Sequence, residues 1–286
     1  MTAYDLVAVL DWSASAAPPR NRPQADAIWL GLASLHGVAT QYHPSRHAAE
    51  AAIKALILEA QKAGHSLLVG LDFPFGYPDG FAARLTGLPG AAAVWHWLSR
   101  EIIDGADNRN NRFAVADAIN QRLGGQGPFW GRPESQPLPH LPSRKTVDYR
   151  GLGLQERRQV EQLVPRAQPV WKLYTTGAAG GQSLMGLPMI HRLSGMTGVS
   201  VWPFDPPAPV TLAEIYPSLL DPAVKAALGP GIIKDEVQVR LLAQSLWRLG
   251  QAGQLADLLA APPAGVRRDE GWILGAGAAD ILRAVL

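Results

Sequence analysis

The sequence contains no cysteine. Disulfides, thiolate metal sites and cysteine nucleophiles are therefore excluded. Charge is also scarce: 17% of the 286 residues are Asp, Glu, Lys or Arg, and the formal net charge is only +2. The sequence pI is near 9.0. That balance permits contact with phosphates, but a nucleic-acid surface would need its basic residues gathered on one face. No apolar run approaches the ~20 residues of a membrane helix. The N-terminus lacks a basic stretch followed by an apolar core, so no secretory signal is expected. Together these absences predict a soluble, cytoplasmic protein without a membrane partner. HExxH, GxxxxGK[ST] and GxGxxG are missing as well, which argues against zinc hydrolysis and a standard nucleotide loop.

What is present suits a globular α/β chain. About 47% of residues are hydrophobic, enough for a large core. The 29 glycines and 24 prolines imply long, well-punctuated loops. Length allows one or two domains. We read a single domain over residues 1–286, with 80–165 as an insertion or lid within it.

Residues 6–10 read LVAVL, a run suited to a strand covered on both faces, and it stops at Asp11. Residues 12–25 read as a loop. Apolar segments at 27–33 and 38–42, joined by short connections, suggest an antiparallel meander with the first strand. Residues 46–62 switch to helical spacing, with Gly64 as a stop signal. LLVGL at 67–71 is a second buried-type strand and stops at Asp72. This strand, helix, strand order predicts a right-handed crossover with parallel strands. Further helices are predicted at 91–103, 113–122, 181–194, 233–250 and 254–261, and strands at 199–202 and 210–215.

Two aspartates thus end similar strands. In open α/β sheets, ligands gather beyond the carboxyl ends of parallel strands. Neighbouring strands lie ~4.8 Å apart, so Asp11 and Asp72 would face one small volume if their strands pair. Like charges that close raise one pKa or recruit a cation, and Mg²⁺ or Mn²⁺ suits an oxygen-only site. The alternative is that each Asp simply forms a turn or caps a helix. Glu214, near the end of an apolar stretch, is a third candidate for the same edge, or else an exposed strand residue. Asp235 is a fourth. Val239, Leu242, Leu246 and Leu249 follow it on one helical face, where an acid is costly unless paired or metal-bound. Its alternative role is a first-turn acid favoured by the helix dipole.

Other residues carry weaker signals. The seven histidines are scattered and read as structural. Gly177, Gly180 and Gly181 precede a helix, where glycine can favour phosphate binding, and Lys172 just before them could reach an anion. Ser13 follows the first strand and is a candidate substrate contact. Arg144, Lys145, Arg150, Arg157, Arg158, Arg166 and Lys172 form a basic-rich region. Its interleaved Trp130, Tyr149 and Trp171 could stack bases, but a solvated face with partly buried aromatics is the favoured reading. Trp12 and Trp272 read as packing residues.

The ordered set VAVLDWS, VGLDFPFGYP, WKLYTTGAAGGQSLMGLPMIHRL, AEIYPSLL, KDEVQVRLLAQSLW and EGWILG resembles the DUF429 family of predicted ribonuclease-H-like proteins. The resemblance spans most of the chain, but residues 80–165 match no part of it. It implies a ribonuclease-H-like fold: a five-stranded mixed sheet, three strands antiparallel and two parallel, flanked by helices, with the first and fourth strands adjacent. By motif match, Asp11, Asp72, Glu214 and Asp235 take the family's acidic positions. One departure stands out. The family's late helix usually carries another aspartate, followed by alanine, four residues after the first acid, and Val239 and Arg240 stand there.

The resulting expectation is a Mg²⁺- or Mn²⁺-dependent hydrolase of a phosphoester or phosphodiester, including a nuclease. Asp11, Asp72 and Asp235 would hold metal, Glu214 would bind it or orient water, and Lys172 would neutralise phosphate. Two alternatives remain. One is a phosphotransferase using ATP on the same sheet, although Trp12-Ser13-Ala14-Ser15 lacks the glycine such a loop wants. The other is a non-catalytic nucleotide- or ligand-binding protein in a cofactor pathway. Molybdenum-cofactor and cobalamin labels attach to chains of this type, but no residue here supports them.

Overall fold

In a computed structural model, which describes residues 3–286 except Pro165, Ala261, Pro263, Ala264, Gly265 and Arg267, the first apolar run forms β1 (Leu6–Asp11). Its unbroken hydrophobicity has a simple cause. Strand side chains alternate between faces, and both faces of β1 are covered. Ala8 and Leu10 join one core with Ile53, Ile57, Leu67, Val69 and Leu71, whereas Val7 and Val9 join another with Leu242, Leu246 and Leu249.

β2 (Ile28–Ser34) and β3 (Gly37–His43) continue as the expected meander, antiparallel to β1 and to each other. α1 (Arg46–Ala63) starts at Ser45, whose side chain accepts from Ala48 N. It stops at Gly64, which takes φ 69° and returns its amide to Ala60 and Gln61. That left-handed conformation is cheap only for glycine. β4 (Leu67–Leu71) then pairs parallel with β1.

Four helices follow: α2 (Phe81–Thr86), α3 (Ala91–Glu101), α4 (Arg112–Arg122) and α5 (Gln159–Leu163). Long irregular stretches join them. Tyr77, Phe81, Phe129, Tyr149 and Trp171 pack as buried rings within this region, continuous with the core on one sheet face. α6 (Ala179–Ser194) leads into β5 (Val199–Trp202) and β6 (Val210–Glu214). A short 3₁₀ turn precedes α7 (Asp221–Ala227), which is followed by α8 (Lys234–Gln251), α9 (Leu255–Leu258) and α10 (Ala279–Ala284). Ala261, the end of the helix predicted at 254–261, lies outside the described residues.

The sheet order is β3-β2-β1-β4-β6-β5, with β1, β4, β6 and β5 mutually parallel. The expected sheet of five strands is therefore corrected to six. The short edge strand β5 pairs only with β6 and makes the addition. Adjacency of β1 and β4 is as expected.

α8 lies across β1 and β2 on the face opposite α1. Its approach is very close: a Cβ on Gly31 would sit 2.5 Å from the Val239 carbonyl oxygen. Val239 itself is fully buried against the sheet. No helix among the described residues is long and apolar enough to cross a membrane.

Candidate active site

The carboxyl ends of β1, β4 and β6 open into a cavity of about 720 Å³. Leu10 pairs with Leu71, and Asp72 N donates to Leu10 O at 3.0 Å. Asp11 and Asp72 therefore leave the sheet side by side, and both line the cavity. The two carboxyl groups act on one another, each shifting the other's pKa. Burial pushes the Asp11 pKa well above the usual carboxylate range, and the charges of Asp72 and Asp235 push it further. Asp72 is raised to about 7, chiefly by burial. At neutral pH such a pair retains a proton or requires a cation.

Asp235 reaches the same cavity from the first turn of α8. Its Oδ2 accepts from Asp26 N at 2.7 Å, and partial burial raises its pKa. The first-turn position and the site position are thus compatible. Val239, one turn on, is absent from the cavity wall and packs in the core. The residue that departs from the resemblance thus contributes to the core rather than to the cavity.

Glu214 also lines the cavity, but its surroundings differ from those expected of a free ligand or water-orienting base. Oε1 accepts from Arg158 Nη2 at 2.7 Å, and Oε2 from Arg158 Nη1 at 2.8 Å. Oε2 also accepts from Phe75 N at 2.9 Å. Arg158 Nε turns to Glu161 at 2.8 Å. Burial opposes the Arg158 charge, but Glu214 and Glu161 outweigh it and raise its pKa. Arg158 is 1% exposed, so it is not part of a solvated basic face.

The remaining predicted residues divide. Ser13 lines the cavity, and its carbonyl accepts from Arg46 at 3.2 Å. Lys172 does not line it. Its Nζ donates to Thr176 O at 2.8 Å, bracing the loop before α6. Trp171 is fully buried, and Tyr149 stacks on it with ring centroids 6.4 Å apart, so neither is free to stack a base. Trp12 packs against Phe73, as expected of a core residue, but also forms part of the cavity wall. Gly177 borders the cavity with φ 74°. His96 and His191 meet across α3 and α6 at 3.4 Å, outside the cavity.

Sequence reasoning missed Arg112 and Lys234, two cations in the cavity wall, and placed Arg166, a third, only in the basic-rich region. It also missed Gln182, whose Nε2 donates to Trp12 O and ties α6 to the loop after β1. Lys234 directly precedes Asp235 and was legible as a neighbour of that acid. Arg112 opens α4 directly after an asparagine-rich loop and carries no motif.

Among the described residues, no group of three or more His, Asp or Glu side chains forms a ready-made metal cage. Comparison with protein-family models, curated proteins and solved structures finds no match.

Proposed function

We propose that this protein is a divalent-metal-dependent hydrolase of a phosphoester or phosphodiester, working from a ribonuclease-H-like sheet edge. One observation carries the reading: Asp11 and Asp72 are held together in a cavity wall with raised pKa values and, among the described residues, no basic side chain bonded to either. Burying two like charges without a partner is unfavourable, and an oxygen-only donor set suits Mg²⁺ or Mn²⁺. Asp11 and Asp72 would hold the ion, with Asp235 towards its open side.

Bound there, the ion would supply Lewis acidity towards a phosphoryl oxygen and lower the pKa of a water. The protein's own groups do the rest. The Asp26 amide fixes one oxygen of Asp235. Arg158 neutralises Glu214, which in turn holds the Phe75 amide and so the loop after β4. Lys234 lowers the repulsion at Asp11. The Ser13 hydroxyl offers a polar contact to substrate.

The test is Mg²⁺-dependent cleavage of a chromogenic phosphodiester and phosphomonoester by the wild type and by Asp11→Asn. We expect turnover to fall by about a hundredfold or more, since loss of even an outer-shell partner of a metal ligand costs 10- to 100-fold. Unchanged turnover in the variant overturns the reading.

A further inference from the structure

Among the described residues, Arg46 and Arg158 are buried and Arg112 is partly buried, and the three are held differently. Arg46 is bound by both Asp104 oxygens, at 2.7 and 2.5 Å. Arg158 is bound by Glu161 and Glu214. Arg112, at the start of α4, has no carboxylate partner among the described residues. Its Nη1 donates to the neutral Asn110 side chain at 2.7 Å, and its guanidinium lies 4.3 Å from the centre of the Phe113 ring. Its Nε is enclosed and has no acceptor. Burial, and then the charge of Arg46, lower its pKa to about 10, so it stays protonated at neutral pH. A cation kept in such surroundings without an anion is destabilising.

Its location supplies the missing half. Arg112 lines the same cavity as Asp11 and Asp72. Beside it, Gly181 packs closely: a Cβ there would lie 3.1 Å from Leu173 O, 3.4 Å from Ala14 Cβ and 3.5 Å from Arg112 Nε. Ala14 is three residues beyond Asp11, so the arginine stands near the acidic edge without pairing with it.

We propose that Arg112 is the anion anchor of this cavity, receiving a phosphoryl group of a ligand whose other end lies at Asp11 and Asp72. The planar fork of a guanidinium matches phosphoryl oxygens with two parallel hydrogen bonds. The assignment rests on the hydrolase reading only for the ligand's second end. Anion binding by Arg112 stands or falls by itself.

The test is calorimetric titration of the metal-free protein with inorganic phosphate, in EDTA, for wild type, Arg112→Met and Arg112→Lys. Wild type should bind saturably. Affinity should fall by about tenfold or more in Arg112→Met, as expected for hydrogen bonds to a charged group, and by less in Arg112→Lys. Ligand-free Arg112→Met should melt no lower than wild type, because the arginine it removes has no anionic partner. An anchor that merely braced the fold would lower the melting temperature instead. Absence of phosphate binding in wild type, or equal binding in Arg112→Met, overturns the proposal. If Arg112→Met binds normally while Asp11→Asn loses turnover, the anchor fails and the hydrolase reading survives. Arginine-dependent phosphate binding without metal-dependent turnover supports the anchor and overturns the hydrolase reading.

Discussion

Asp72 and Glu214 stand at the ends of neighbouring parallel strands, with Leu71 paired to Glu214. Both face one cavity, yet their surroundings are opposite. Glu214 meets the guanidinium of Arg158 in a two-pronged pair, supported by Glu161 and the Phe75 amide. Asp72 meets a second carboxyl group, that of Asp11. A carboxylate at a strand end therefore says little until its partner is known. Here the partner of Glu214 arrives from the region between β4 and α6, far away in sequence.

Four changes would probe this contrast. Arg158→Met should have the largest effect, because it leaves Glu214 and Glu161 buried without a cation. Removing one member of a buried ion pair costs about 3–5 kcal/mol, and urea denaturation would measure it. Val239→Asp comes next. It tests whether position 239 belongs to the core or to the acidic group. Val239 is buried in the core at 0% exposure, so the variant should lose at least about 2 kcal/mol of stability by denaturant unfolding, with no gain in metal affinity.

The third change concerns pH. Asp72 is raised from an ordinary value near 3.8 to about 7 in the folded protein, and Asp11 is raised too. Between those values the folded state holds protons that the unfolded chain has released. Stability of the metal-free protein should therefore fall as pH rises from about 4 to about 7. Asp72→Asn should flatten that decline, and Mg²⁺ should oppose it at pH 8, both read from melting temperatures. The least change is expected of Lys172→Ala, which removes a brace on the loop before α6. Its stability should change by about 0.5 kcal/mol or less, and phosphate affinity should stay near that of wild type.

Much of the sheet was legible because its central strands are covered on both faces. LVAVL and LLVGL could be nothing polar on either side, and each stopped at the residue that reaches the cavity. The helix at 234–251 was equally plain, since Leu242, Leu246 and Leu249 recur on the face that meets β1 and β2. The order of the sheet's edge was harder. β5 has only four residues, too few for alternation to mark its neighbour. Arg158 and Arg112 were opaque for a different reason. Nothing local separates a buried arginine from an exposed one in a loop-rich stretch, and both acquire their meaning from contacts made across the fold. Lys172 shows the converse, a basic residue beside a glycine-rich helix start whose ammonium turns back to its own loop.

The proposed chemistry depends above all on Asp11 and Asp72 forming a cation site. A crystal soaked in Mn²⁺ and measured at the manganese edge would show whether they do. An anomalous peak is expected between the two carboxylates, with Asp235 on its open side. Manganese bound elsewhere, with no peak between Asp11 and Asp72, would refute the site.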